Sequence, residues 1–267
     1  MHKRINKVFT LLKPVGEIFL EHLQRDDKYI EEKSKNDFTT EADKHIELFF
    51  GKEILKSFPD DSIIQEEHDN IIGKSEYSWV IDPIDGTNNY IRKIPDARIQ
   101  IALIRGVKII WGAIYNPIGK EIYIGELGKG AKKITLGSNK RVDLHVSKNP
   151  FEKSFVIYTA GVAKGDGQSK GIFNALLGNI GSLRIYGAAS IAFELIASGR
   201  ADCFICNIAK PVDMAAGSLI VRESGGKSLN FNGEDWTLDM KDVLVANDTN
   251  YSDFLDIVKP RKGLSAA

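Results

Sequence analysis

Between Trp79 and Tyr90 the chain reads Trp-Val-Ile-Asp-Pro-Ile-Asp-Gly-Thr-Asn-Asn-Tyr, with carboxylates at Asp82 and Asp85 and a hydroxyl at Thr87. A short run of β-formers leads into Asp82, and Pro83 and Gly86 predict a turn that folds both carboxylates and nearby carbonyls towards one point. The amides of Gly86 and Thr87 would then face an anion at the start of a following helix. Turn propensity alone also accounts for every one of these residues. Two further segments argue for chemistry. Glu66-Glu67 follows the apolar run Ser62-Ile63-Ile64, and Asp213 follows Pro211 at the start of a helix, where the helix dipole by itself would also favour an acid. Carboxylates gathered at one site raise one another's pKa, and hard divalent cations relieve that repulsion. An all-oxygen ligand set selects magnesium, manganese or calcium over zinc. A carboxylate such as Asp82 shared between two cations is the arrangement used for in-line attack on phosphate.

The elements that must position these groups are legible in the apolar spacing. Ile5, Val8, Phe9, Leu12, Val15, Ile18, Phe19 and Leu23 predict an amphipathic helix over 4–24, bent at Pro14. A second helix runs from Ala42 to Phe58, capped by Thr39 or Thr40 and stopped by Pro59. Strands are predicted at 78–81, 99–104, 107–115 and 121–124, the last three as an antiparallel meander. From about residue 150, strands at 155–158, 183–186 and 201–206 alternate with helices at 172–177, 188–198 and 214–223. The last helix ends at Gly225-Gly226. The reading is α/β overall, with an α+β metal-binding half at 1–149 and an α/β half at 150–267 that completes the site, the two forming one compact unit.

Composition narrows the function classes. The 267 residues carry 36 Lys+Arg against 36 Asp+Glu, so no bulk attraction to nucleic acid or anionic lipid is expected. Lys7 and Lys13 interrupt any signal-peptide core, and no run of about 18 apolar residues occurs. A cytoplasmic protein without membrane or direct nucleic-acid contacts is expected.

Asp82-Pro-Ile-Asp85-Gly-Thr87, the preceding Glu66-Glu67 and Pro211-Val-Asp213-Met-Ala-Ala-Gly217 together resemble the three signatures of the inositol monophosphatase family. Gly187-Ala188-Ala189, Gly199-Arg-Ala-Asp202 and Glu223-Ser-Gly-Gly226 also fit, so the resemblance spans roughly residues 1–250. It implies a layered αβαβα sandwich of the inositol monophosphatase and fructose-1,6-bisphosphatase type. It also implies a homodimeric, lithium-sensitive, Mg2+-dependent phosphomonoesterase. By motif position, Glu66, Asp82 and the Ile84 carbonyl would hold one Mg2+, and Asp82, Asp85 and Asp213 a second. Thr87, paired with Asp43 of Thr39-Thr-Glu-Ala-Asp43, would orient and deprotonate the attacking water. Lys33-Ser34 would begin a loop over a third, weaker ion. Asp85, Gly86, Thr87, Gly187, Ala188, Ala189, Cys206 and Asp213 would contact substrate, with inositol 1-phosphate the first choice. Family relatives also act on fructose 1,6-bisphosphate, 3′-phosphoadenosine 5′-phosphate or NADP. Some bacterial members associate with RNA polymerase antitermination factors, a role that need not use the active site.

Four positions depart from the family pattern. Gln65 stands for glycine, His68 for serine, Val212 for tryptophan and Cys206 for a glutamate that bonds a substrate hydroxyl. A thiol is a poor acceptor, which puts specificity for inositol phosphate in question. Other motifs are set aside. Cys203 and Cys206, three apart in a strand, face opposite ways with Cα atoms about 10 Å apart, beyond the roughly 7 Å limit for a disulfide. Gly225-Gly-Lys-Ser228 lacks the first glycine of a P-loop. Gly165-Asp-Gly167 reads as a loop, and Lys129, Lys132 and Lys133 as a solvated turn.

Overall fold

The computed structural model describes residues 1–26, 29–34, 37–138, 140–159 and 167–259. Helices α1 (His2–Gln24) and α2 (Glu41–Ser57) flank a hairpin of β1 (Ile30–Ser34) and β2 (Asp37–Thr40). Thr40 caps α2. Its hydroxyl accepts from Asp43 N–H while the Asp43 carboxylate accepts from Thr40 N–H, a capping box that locks Asp43 into the first turn. Pro14 lies inside α1, which continues past it.

A seven-stranded sheet follows, in chain order: β3 (Ser62–Ile64), β4 (Tyr77–Asp85), β5 (Arg98–Arg105), β6 (Lys108–Asn116), β7 (Glu121–Glu126), β8 (Ala131–Thr135) and β9 (Lys140–Asp143). Only β3 and β4 pair in parallel. A short helix, α3 (Thr87–Ile91), interrupts the run between β4 and β5. The second sheet takes β10 (Phe155–Thr159), β11 (Ser182–Arg184), β12 (Cys203–Cys206), β13 (Lys227–Leu229) and β14 (Val243–Ala246) in the order β11-β10-β12-β14-β13. Its helices are α4 (Gly167–Leu176), α5 (Ala189–Ala197), α6 (Pro211–Glu223) and α7 (Tyr251–Val258).

The layers follow from which face of each element is apolar. Ile5, Phe19, Ile46 and Phe50 of α1 and α2 pack with Trp79, Ile81 and Leu103 on the outer face of the first sheet. Phe193, Leu219 and Ile220 of α5 and α6 lie between the sheets with Val80, Ile114, Phe204 and Val245. Ile172, Leu176 and Phe254 of α4 and α7 cover the far face of the second sheet. The result is the expected αβαβα stack. Close approach of α6 to the first sheet needs a missing side chain at Gly112, where a Cβ would fall 2.8 Å from the Ala216 carbonyl oxygen.

Three readings change. Pro83 does not turn the chain: β4 runs on to Asp85. Asp82 pairs with Gln100 and Asp85 with Arg98, so one extra residue bulges out where a proline fits. Lys132 and Lys133 lie on β8 rather than in a turn. The hairpin β1–β2, β9, β13, β14 and α7 were not predicted, because their apolar runs are short or mixed with charge. Of Gly165-Asp-Gly167, only Gly167 is among the described residues, and it opens α4. No helix among the described residues is long and apolar enough to cross a membrane.

Candidate active site

Alternation along β4 sets the site. Val80 points into the layer between the sheets and Ile81 into the outer core, so Asp82 points inwards. The bulge after Asp82 restores the inward direction at Asp85, which an unbroken strand would have sent outwards. Pro211 starts α6 and places Asp213 in its first turn, facing β4. Carboxylate oxygens of Glu66, Asp82 and Asp213 lie within 4.8 Å of one another.

Asp82 is 1% exposed, and neither of its side-chain oxygens has a hydrogen-bond partner. Burial, and then the charges of Glu66, Asp85 and Asp213, hold its carboxyl well above the usual carboxylate range. Asp213 is raised for the same reasons, opposed by Lys210. A buried acid with no donor and two acidic neighbours is what a hard cation with oxygen ligands would satisfy.

The other predicted residues surround this cluster. The Asp85 carboxylate accepts from the N–H groups of Ala189 (3.2 Å) and Ser190 (2.5 Å), capping α5. Burial raises its pKa and these bonds oppose the rise. Gly86 has φ +91°, and a Cβ there would sit 3.0 Å from the Ala188 Cβ, so Ala188 abuts the end of β4. The Thr87 hydroxyl donates to the Ile84 carbonyl at 3.0 Å. Asp43 instead accepts from the Thr40 N–H (2.8 Å) and hydroxyl (2.5 Å), so no hydrogen bond joins it to Thr87. The other Asp43 oxygen is buried without a partner, and burial pushes its carboxyl up to about 7.

Cys206 is 1% exposed, in the core beside Phe204 and Ala215, and burial pushes its thiol up to about 12. Cys203 lies in the opposite cluster with Val156 and Leu244. The two face opposite ways, and both are free.

Three groups escaped sequence reading. Glu47, fully buried on α2, accepts from the N–H groups of Glu66 (2.7 Å) and Glu67 (3.0 Å) and meets His68 Nδ1 at 2.6 Å. Its one signal is its position four residues beyond Asp43, on the same helix face. Gln100 donates to the Asp213 carbonyl at 2.8 Å. Lys210 Nζ stands 3.0 Å from Glu66 Oε1.

The chain matches the sequence model of the inositol monophosphatase family over residues 2–260. It belongs to the inositol monophosphatase family. Among family relatives, the Nus factor SuhB of Pasteurella multocida is 30% identical over 97% of each chain. A fructose-1,6-bisphosphatase/inositol-1-monophosphatase of Thermotoga maritima is 28% identical over 96% of this chain and 95% of its own. The crystal structure of extragenic suppressor protein suhB from Bartonella henselae superposes with TM-score 0.88 at 26% identity, covering 98% of this chain and 100% of that one. Family membership accounts for the layered fold and the acidic cluster, while these relatives differ from one another in what their names say they do.

Proposed function

We propose that this chain is a Mg2+-dependent phosphomonoesterase acting on a small sugar or inositol phosphate, with inositol 1-phosphate the leading substrate. The observation that carries the reading is the orphaned Asp82 carboxylate beside Glu66 and Asp213. Glu66, Asp82 and the Ile84 carbonyl would hold one ion, and Asp82, Asp85 and Asp213 a second. Bound there, Mg2+ supplies positive charge to the phosphate oxygens and acidifies an attacking water.

The chain's own groups do the rest. Asp43, with one unpartnered oxygen and a pKa near neutrality, is suited to take a proton. The Thr87 hydroxyl, now on the Ile84 carbonyl, can turn to orient the water. Gly86 and Gly187, both with positive φ, would present backbone rather than side chains to the phosphate. Cys206, buried in the core, would not serve as a hydroxyl acceptor, which favours a leaving group recognised by its other edges.

Phosphate release from inositol 1-phosphate, with and without Mg2+ and with added Li+, tests the reading. Mg2+-dependent, Li+-inhibited turnover supports it. Far higher kcat/KM on fructose 1,6-bisphosphate, 3′-phosphoadenosine 5′-phosphate or NADP would reassign the substrate, and no turnover on any would overturn the enzyme reading. A second reading, association with RNA polymerase antitermination factors, is favoured by relatives named Nus factor SuhB. Pulldown of polymerase by wild type and by Asp82→Asn tests it, and retention by both would separate it from catalysis.

A further inference from the structure

Lys210 occupies an electrostatically awkward place. It is the N-cap of α6, where the helix dipole presents its positive end and a lysine is disfavoured. Its ammonium nonetheless has company. It lies 3.0 Å from Glu66 Oε1 and 3.8 Å from Asp37 Oδ2, the latter on the hairpin β1–β2. Lys33, on the same hairpin, lies 2.8 Å from Glu67, 3.7 Å from Glu66 and 3.9 Å from Asp37. Two lysines and three carboxylates thus join the hairpin, the Glu66-Glu67 turn and the start of α6 in one network. Glu66 is its hinge, because the same side chain contributes an oxygen to the Asp82–Asp213 cluster.

We propose that Lys210 is a positioning residue that serves as a built-in counter-cation. It holds Glu66 and latches the hairpin in the ion-free protein, and it gives up Glu66 when a divalent ion binds. The inference rests on the metal reading above and goes beyond it, since it assigns the cation affinity a brake and the hairpin a link to occupancy. Neutralising Lys210 removes the nearer of two lysines on Glu66 and also removes the tie from α6 to the hairpin and the Glu66-Glu67 turn, which Lys33 does not make. These two effects have opposite signs, which separates this role from a merely structural one. Lys44 supplies the control: it pairs with Glu31 at 2.6 Å on the same hairpin, without touching Glu66.

Calorimetric titration of Mn2+ into metal-stripped full-length wild type, Lys210→Met and Lys44→Met, with melting curves of each in chelator, tests it. The Lys210→Met protein is expected to bind Mn2+ about fivefold more tightly, the upper end for a half-exposed ion pair. It should also melt at a lower temperature than wild type when ion-free. The Lys44→Met protein is expected to change Mn2+ affinity by less than about twofold, as exposed pairs contribute little. An unchanged affinity, an unchanged ion-free melt, or equal tightening in Lys44→Met would overturn the proposal. Absence of Mn2+ binding by wild type would instead overturn the metal reading beneath it.

Discussion

Two aspartates on neighbouring segments of one sheet have opposite fates. Asp61, just before β3, and Asp82, in β4, are 0% and 1% exposed. Asp61 accepts from Arg4 Nε and Nη2 (both 2.7 Å), the Ser75 hydroxyl (2.7 Å) and Trp79 Nε1 (3.0 Å). Burial alone would push its carboxyl up, but these donors together hold it below its usual range. Asp82 has no donor at all and is pushed up. Trp79, which serves Asp61, sits on the same strand three residues before Asp82. The fold therefore has the means to satisfy a buried acid here: Asp85, on the same inward face as Asp82, accepts from two α5 amides, while Asp82 is left without a donor. A carboxylate with four donors stabilises the protein; one left bare among other acids destabilises it unless a cation balances the charge. That contrast separates a structural acid from a reactive one more clearly than burial does.

The sharpest way to break the contrast is Asp82→Asn. Turnover should fall by more than about 10²-fold, since altering groups one step further from a metal already costs 10–100-fold. The ion-free protein should nevertheless melt at a higher temperature than wild type, because a charge is removed from a repelling cluster, and Mg2+ should no longer raise its melting point. A lower ion-free melting temperature would mean that Asp82 is satisfied after all. The opposite sign is expected at Asp61. Asp61→Ala strands Arg4 and the Trp79 N–H and should destabilise by about 2–4 kcal/mol in a denaturant titration, with Mg2+ response intact.

The same two residues predict a pH profile with two limbs. Asp61 has a folded pKa below its unfolded value, so its contribution is full above about pH 4 and is lost as pH falls through the folded value. Asp82 and Asp213 have folded pKa values above their unfolded ones, so the folded state holds more protons and stability falls as pH rises from about 4. Melting curves in chelator should show both limbs, and saturating Mg2+ should flatten the upper one. Survival of the upper limb in Mg2+ would assign it to other groups.

Glu47 tests whether the bare cluster is aimed from outside. Its carboxylate holds the Glu66 and Glu67 amides, and Glu47→Gln keeps shape but loses the double acceptor. Mn2+ affinity should weaken about 10–100-fold, with the melting point of the loaded protein little changed. Apart from its place one turn beyond Asp43, nothing in the local sequence marks Glu47, because its partners lie 19 and 20 residues away and the packing of α2 against β4 brings them together. Asp82, Asp85, Glu66 and Asp213 were legible because turn-forming and helix-starting residues surround them. Their convergence was expected from the turn and the family resemblance, but the means was not legible, since it depends on the bulge after Asp82 and on the approach of α6 over Gly112. Likewise the helices α1 and α2 announced themselves by period, whereas β13 and β14 are three and four residues long and carry no periodicity to read.

Cys206 marks the mild end of the comparison. The family resemblance would make it a substrate-contacting position, yet its surroundings are those of the core: 1% exposed, on β12, facing the cluster between the sheets. A thiol held near 12 by burial is neutral at working pH and offers neither charge nor a good acceptor. Cys206→Ala should therefore leave kcat/KM on the true substrate within about twofold, while the small cavity costs about 1 kcal/mol in stability. Steady-state kinetics decide the matter. A rise in KM of tenfold or more with unchanged kcat would show that the thiol reaches a substrate hydroxyl, and would return Cys206 from the satisfied core to the reactive side of the molecule.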